Sequence, residues 1–200
     1  MKLWLLVPVK PFGEGKSRLA EHLSSEARQT LSQAMLAHVL HTGQSTHLLA
    51  GILVVSRDPQ ALAQAEQAGV HTLLETGHDL NEALTQASQQ AVAAGAEAVL
   101  VLPADLPLLT SEDVQHLYTL GAAQPGVVIT PSPDGGTNAL LLHPPHIIEF
   151  IFGPNSFVRH RQQAHVAKLA VQVFESPTLA LDIDWPQDLN SLQSLFAAGV

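Results

Sequence analysis

Residues 79–109, DLNEALTQASQQAVAAGAEAVLVLPADLPLL, contain one complete helix-and-strand unit. Asp79 followed by Leu80, Asn81 and Glu82 reads as a helix start in the manner of a capping box, and the alanine-rich stretch behind it runs to Ala94. Gly95 is the stop, because glycine takes the left-handed backbone that ends helices without a Cβ clash. Ala98 to Leu102 is then an unbroken apolar run, the pattern of a strand covered on both faces. Pro103-Ala104-Asp105-Leu106-Pro107 ends it, with a carboxylate just past the strand.

The same alternation extends in both directions. Strands are predicted at Leu3 to Val9, Gly51 to Ser56, Val70 to Leu74, Val127 to Thr130 and Asn138 to Leu142. Ser24 or Ser25 caps a segment in which Leu31, Ala34, Met35, His38 and Val39 fall at helical spacing. Asp58-Pro59 starts a helix that Gly69 ends, Thr110 or Ser111 caps another through Leu120, and Pro186 begins the last, with Leu189, Leu192, Leu195 and Phe196 on one face. The order βαβαβαβα predicts an α/β fold: a mostly parallel sheet with helices on both faces and ligands bound beyond the carboxyl ends of the strands. No repeat or linker interrupts it, so residues 1–200 are expected to form a single domain.

Composition narrows the function classes. The chain is 46% apolar and 14% charged, yet no stretch approaches the roughly 18 to 20 apolar residues of a membrane helix, so a water-soluble protein is expected. The N-terminal apolar run is too short for a secretory leader and lacks a small-residue cleavage site. Without cysteine there are neither disulfides nor thiolate-bound zinc, and the cytoplasm is the default location. A net charge of -9 argues against binding nucleic acid. Lys2, Lys10, Lys16 and Arg18 nevertheless crowd into the first eighteen residues, a local basic patch in an acidic protein.

That patch includes Pro8-Val9-Lys10-Pro11-Phe12-Gly13-Glu14-Gly15-Lys16-Ser17-Arg18-Leu19, directly after the first strand. Glycines let backbone N–H groups approach an anion, and Lys16 with Arg18 can neutralise a polyphosphate; a solvated basic loop is the plainer alternative. A P-loop does not fit, since the position five residues before Gly15 is Lys10 rather than glycine. Asp105 suits a hard cation such as Mg²⁺, although Asp beside Pro is also ordinary turn chemistry. Asp182 and Asp184, two apart on an extended segment, point the same way and could share that cation, while a helix cap ahead of Pro186 would account for Asp184 alone. Asp134-Gly135-Gly136-Thr137-Asn138 suits either a hairpin turn or a polar binding loop. Gly153 and Ser156, near a helix N-terminus with Arg159 and Arg161 soon after, suit anion capture better. The eleven histidines show no closely spaced ligand set, and most are expected at the surface. Ile147 to Phe152 reads as core or as a dimer contact, with core favoured.

Taken in order, Pro8-Val9-Lys10 with Lys16-Ser17-Arg18-Leu19, Pro103-Ala104-Asp105-Leu106-Pro107, Asp134-Gly135-Gly136-Thr137-Asn138, Phe152-Gly153-Pro154-Asn155-Ser156-Phe157 and Leu181-Asp182-Ile183-Asp184 resemble the 2-phospho-L-lactate guanylyltransferase family. This family includes a bacterial phosphoenolpyruvate branch and acts in biosynthesis of the deazaflavin coenzyme F-420. The resemblance runs nearly end to end. It implies a nucleotidyltransferase-type fold, GTP as donor, a small phosphorylated acid as acceptor, pyrophosphate as product and Mg²⁺ as cofactor. It further implies acceptor contacts from Thr137, Gly153 and Ser156 and metal ligation by Asp105, Asp182 and Asp184; with that chemistry, Lys16 and Arg18 are expected to contact the triphosphate, with Lys10 helping at the same end, and Lys16 and Asp105 to be catalytic. The Leu-Ala-Ala-Gly signature of the related molybdopterin nucleotidyltransferases is missing after the first strand. A molybdopterin-type or sugar-phosphate nucleotidyltransferase and a noncatalytic nucleotide-binding protein are the rival readings.

Overall fold

A computed structural model describes residues 1–77 and 79–189. The strands are β1 (Leu3–Pro8), β2 (Leu49–Ser56), β3 (His71–Leu74), β4 (Ala98–Val101), β5 (Gly126–Pro131), β6 (Thr137–His143) and β7 (Val171–Val173). Between them lie α1 (Ser25–Ser45), α2 (Pro59–Gln67), α3 (Leu80–Ala93), α4 (Ser111–Ala123), α5 (Ser156–Val166) and the single turn α6 (Pro177–Ala180). One sheet holds all seven strands in the order β3-β2-β1-β4-β6-β5-β7. β6 is antiparallel to both of its neighbours, and the remaining pairings are parallel.

Alternating side chains of each strand feed two cores. Leu3, Leu5, Val7, Val54, Leu100 and Leu141 meet α1, α2 and α4 on one face. Trp4, Leu6, Leu53, Val99, Val101 and Leu140 meet α3 and α5 on the other. Each fully buried leucine contributes about 2 kcal/mol, so the sheet is a stiff platform for the loops at its rim. Ser24, Asp58, Asp79 and Thr110 each cap the helix that follows, and Gly69 and Gly95 take positive φ where α2 and α3 end.

Three expectations need correction, and one open alternative is decided. The strict alternation breaks at β5 and β6, which form a hairpin across residues 132–136. β7 was not expected, being only three residues with a glutamine at its centre. On α1, Ala34 is exposed, and Met35, Leu36, Val39 and Leu40 form the buried stripe. Asp184 is not the cap of the last helix: the Asp188 carboxylate accepts from the Asp184 and Trp185 N–H groups instead. That helix is described from Pro186 to Leu189, and Leu192, Leu195 and Phe196 lie outside the described residues. Ile148 and Phe150 are buried in the second core, as the core reading of that segment expects.

The topology reverses beside β1: the chain moves outward to β2 and β3, then returns to place β4 on the other side. Such a switch point opens a crevice at the carboxyl ends of the strands. Because β6 runs the opposite way, its first residues reach that same rim.

Candidate active site

A cleft of about 570 Å³ occupies this rim, lined among others by Lys10, Gly15, Lys16, Arg57, Asp105, Thr137, Asn138, Gly153, Ser156, Asp182 and Asp184. The loop after β1 is tied to the sheet where the Phe12 N–H donates to the Asp58 carboxylate, and Phe12 is buried beneath it. Lys16 stands at a left-handed backbone position, φ 55. An L-residue there is strained by about 1 kcal/mol or more, which the surrounding contacts must offset.

Those contacts are ionic. Lys16 Nζ donates to Asp105 at 2.5 Å and to Asp184 at 3.0 Å. Burial alone would lower the lysine pKa, but the facing Asp105 and Asp184 carboxylates outweigh it and hold the ammonium above its ordinary value. The segment carrying Asp182 and Asp184 is secured at both ends. The Ile183 N–H donates to the Asp105 carbonyl, and Ile183 itself is buried with Leu19 and Met35. Further back, the buried Asp113 accepts from Ser176 and Thr178 as well as from the Thr110 backbone and hydroxyl. Asn138, at the start of β6, donates to the Leu179 carbonyl at 2.9 Å and to Asp182 at 3.4 Å.

Asp105, Asp182 and Asp184 each offer a carboxylate oxygen, all within 4.8 Å of one another. Burial, then the Asp105 and Asp184 charges, push the Asp182 pKa up to about 6. Three hard oxygen donors converging in partial burial, with a lysine ammonium already drawn between two of them, fit a divalent cation.

Across the cleft, Thr137 and Ser156 are nearly fully buried with their hydroxyls 2.9 Å apart. Ser156 opens α5, preceded by Gly153 at φ 123 and Asn155 at φ 55, so the chain turns sharply into the helix and leaves its N-terminus facing the cleft. Asp134, held below the usual carboxylate range by Ser132 and then by the Gly136 N–H, braces the adjoining hairpin turn.

The residues singled out from sequence divide as follows. Lys16, Asp105, Asp182 and Asp184 form one contact group, and Thr137, Gly153 and Ser156 line the same cleft opposite. Lys10 is exposed and lines the cleft edge. Arg18 lies outside the cleft lining, 3.5 Å from Asp184 and with its guanidinium over the Trp185 ring. Sequence reasoning gave no part in the cleft to Arg57, Glu75 or Asp79, which line it, the last read only as a helix cap, and no role to His160. The spacing of Ser156, His160 and Ala164, one buried stripe of α5, is the signal that could have found the histidine.

Solved structures share this architecture. A structure described as a nucleotide-diphospho-sugar transferase from Desulfovibrio desulfuricans G20 superimposes with a TM-score of 0.79 at 21% identity, covering 96% of this chain and 86% of its own. CMP:2-keto-3-deoxy-manno-octonic acid synthetase complexed with CTP gives a TM-score of 0.65 at 13% identity over the whole of both chains. The chain therefore shares the α/β fold of these structures, in one mostly parallel sheet as the sequence predicts.

Sequence relatives are more specific. A phosphoenolpyruvate guanylyltransferase of Rubrobacter xylanophilus is 40% identical over 195 residues, 97% of this chain and 95% of that protein. A 2-phospho-L-lactate guanylyltransferase of Methanothermobacter thermautotrophicus is 36% identical over 193 residues, 96% of this chain and 84% of its own. Residues 3–196 match the family profile described as guanylyl transferase CofC like, and the chain belongs to that family of nucleotidyltransferases.

Proposed function

We propose that this cleft transfers GMP from GTP to the phosphate of phosphoenolpyruvate or 2-phospho-L-lactate, with release of pyrophosphate, as a step of coenzyme F-420 biosynthesis. The observation that carries the reading is the placement of Lys16 between Asp105 and Asp184 on one side of the cleft, with the Thr137 and Ser156 hydroxyls on the other. An acceptor phosphate oxygen attacks the α-phosphorus in line, the bond from that phosphorus to the bridging oxygen breaks, and pyrophosphate leaves with the electron pair. The acceptor phosphate is already ionised near neutral pH, so no strong base is required, and positioning with charge stabilisation carries the catalysis.

Thr137 and Ser156 hold the acceptor's anionic groups, with Gly153 allowing close backbone approach beside the N-terminus of α5. Lys16 neutralises charge on the reacting phosphates, with Lys10 at the cleft edge and Arg18 contributing positive charge from outside. Asp105, Asp182 and Asp184 would hold Mg²⁺, which would supply positive charge against the triphosphate and the departing pyrophosphate. Among the described residues no helix is long and apolar enough to cross a membrane. A cytoplasmic enzyme with small-molecule partners and no nucleic-acid partner is the corresponding proposal.

The test is pyrophosphate release from GTP and Mg²⁺ with phosphoenolpyruvate, 2-phospho-L-lactate or 3-phosphoglycerate in turn, with ATP and CTP as donor controls. Release with GTP and one of the first two acceptors supports the reading and names the substrate. Folded protein silent with all three acceptors would return the molybdopterin-type and noncatalytic readings.

A further inference from the structure

His160 is fully buried on the inner face of α5 and touches the cleft only through another side chain. Its Nε2 lies 3.1 Å from the Ile151 backbone nitrogen, which can only donate. Nε2 must therefore be the unprotonated nitrogen, and in a neutral ring the proton sits on Nδ1. Burial, with a smaller effect of the neighbouring Arg159 charge, depresses the ring's pKa to about 4, so the neutral ring is the form at working pH. Nδ1 in turn lies 3.3 Å from Thr137 Oγ1, which lies 2.9 Å from Ser156 Oγ. Phe152 packs edge-on against the ring at 5.0 Å and keeps it in this plane.

Proton counting gives the consequence. Thr137 and Ser156 carry one hydroxyl proton each. With the ring donating, a single proton serves the bond between the hydroxyls and the other is free to point into the cleft. With the opposite tautomer, Thr137 would donate to the ring and Ser156 to Thr137, leaving no donor for a ligand. We infer that His160 is a positioning residue whose Nδ1–H occupies an acceptor lone pair of Thr137 and so leaves one proton of the Thr137–Ser156 hydroxyl pair uncommitted, so that the pair always presents a donor to an anionic group of the acceptor. The inference rests on the placement of the acceptor at Thr137 and Ser156 proposed above.

Two substitutions separate orientation from packing. Gln places its terminal amide where Nε2 stood and can still accept from Ile151, but it supplies nothing at Nδ1. Asn places an N–H near Nδ1 and gives up the Ile151 bond. His160→Gln should raise the acceptor KM several-fold, because without the Nδ1–H nothing fills the Thr137 lone pair and holds the spare hydroxyl proton toward the cleft, with the GTP KM unchanged. His160→Asn should recover much of that loss. An unchanged acceptor KM in H160Q, or equal damage in H160N and H160Q, would overturn the relay. The tautomer is read independently from long-range proton–nitrogen correlation spectra of the wild-type chain, with His160 assigned by its absence from a variant; a proton on Nε2 would overturn the inference even if H160Q fails to fold. Wild-type protein silent with every acceptor would instead indict the proposed function, and the tautomer would then decide the hydrogen-bond polarity alone.

Discussion

Replacing His160 by glutamine should change how stability responds to acid. The folded chain holds this ring neutral down to about pH 4, whereas an unfolded histidine takes its proton near 6.5. Between those values the unfolded state binds more protons, so the contribution of His160 is present above pH 6.5 and lost as pH falls toward 4. At about 1.4 kcal/mol per pH unit, the loss amounts to about 2 kcal/mol by pH 5 and about 3 kcal/mol by pH 4. Asp182 acts in the opposite sense. Its pKa is raised to about 6 by burial and by its carboxylate neighbours, so the folded chain takes that proton first and gains stability as pH falls through the same window. The wild-type curve is therefore shallower than either contribution alone, and the difference between proteins is the informative quantity. Urea unfolding of wild type and H160Q at pH 7, 6 and 5 should show the wild-type advantage shrinking by about 2 kcal/mol from pH 7 to pH 5. An advantage that stays constant over that range would refute the buried, neutral assignment.

The remaining expectations concern the cleft and its support. Asp105→Asn should cut turnover by orders of magnitude while thermal unfolding stays near wild type; near-normal activity would remove Asp105 from the metal site. Ser156→Ala should chiefly raise the acceptor KM, which steady-state titration of acceptor at saturating GTP would read, and an unchanged value counts against its placement. Asp113→Ala strands donors from Thr110, Ser176 and Thr178 and should cost about 3 kcal/mol by denaturant unfolding, together with a greater Mg²⁺ requirement because the Asp182 segment loosens.

Much of the fold was legible because the parallel strands are continuous apolar runs, and Asp58, Asp79 and Thr110 occupy cap positions that the chain uses. Asp105 was legible for a related reason: a carboxylate directly after a buried strand must face the rim. β7 was not, since its short edge segment gains its pairing from β5 rather than from its own pattern. Asn138 sat in an apparent strand start, and its amide becomes meaningful only once the reversal of β6 brings it over Leu179 and Asp182. Asp184 could be read as a ligand or a cap, and the choice was made by Asp188, four residues on, which satisfies the helix start and leaves Asp184 to Lys16. His160 lay hidden among many histidines because burial, which sets it apart, is a property of tertiary packing.

The reversed strand also suggests how such a molecule could be re-purposed. β4 and β6 join through the short ladder of Val99, Leu100 and Val101 with Leu142, Leu141 and Leu140. On one side of this seam stand the cationic loop and Asp105; on the other, the hairpin and α5 contribute Thr137, Gly153 and Ser156. The ladder itself is made of apolar pairs, while Asn138 to Asp182 and Asn81 to Phe152 tie across it, so the hairpin and α5 are the segments to exchange together with those partners. Grafting those segments from a relative with a different acceptor preference, while keeping the seam residues, is a route to new products from the same nucleotide-handling half.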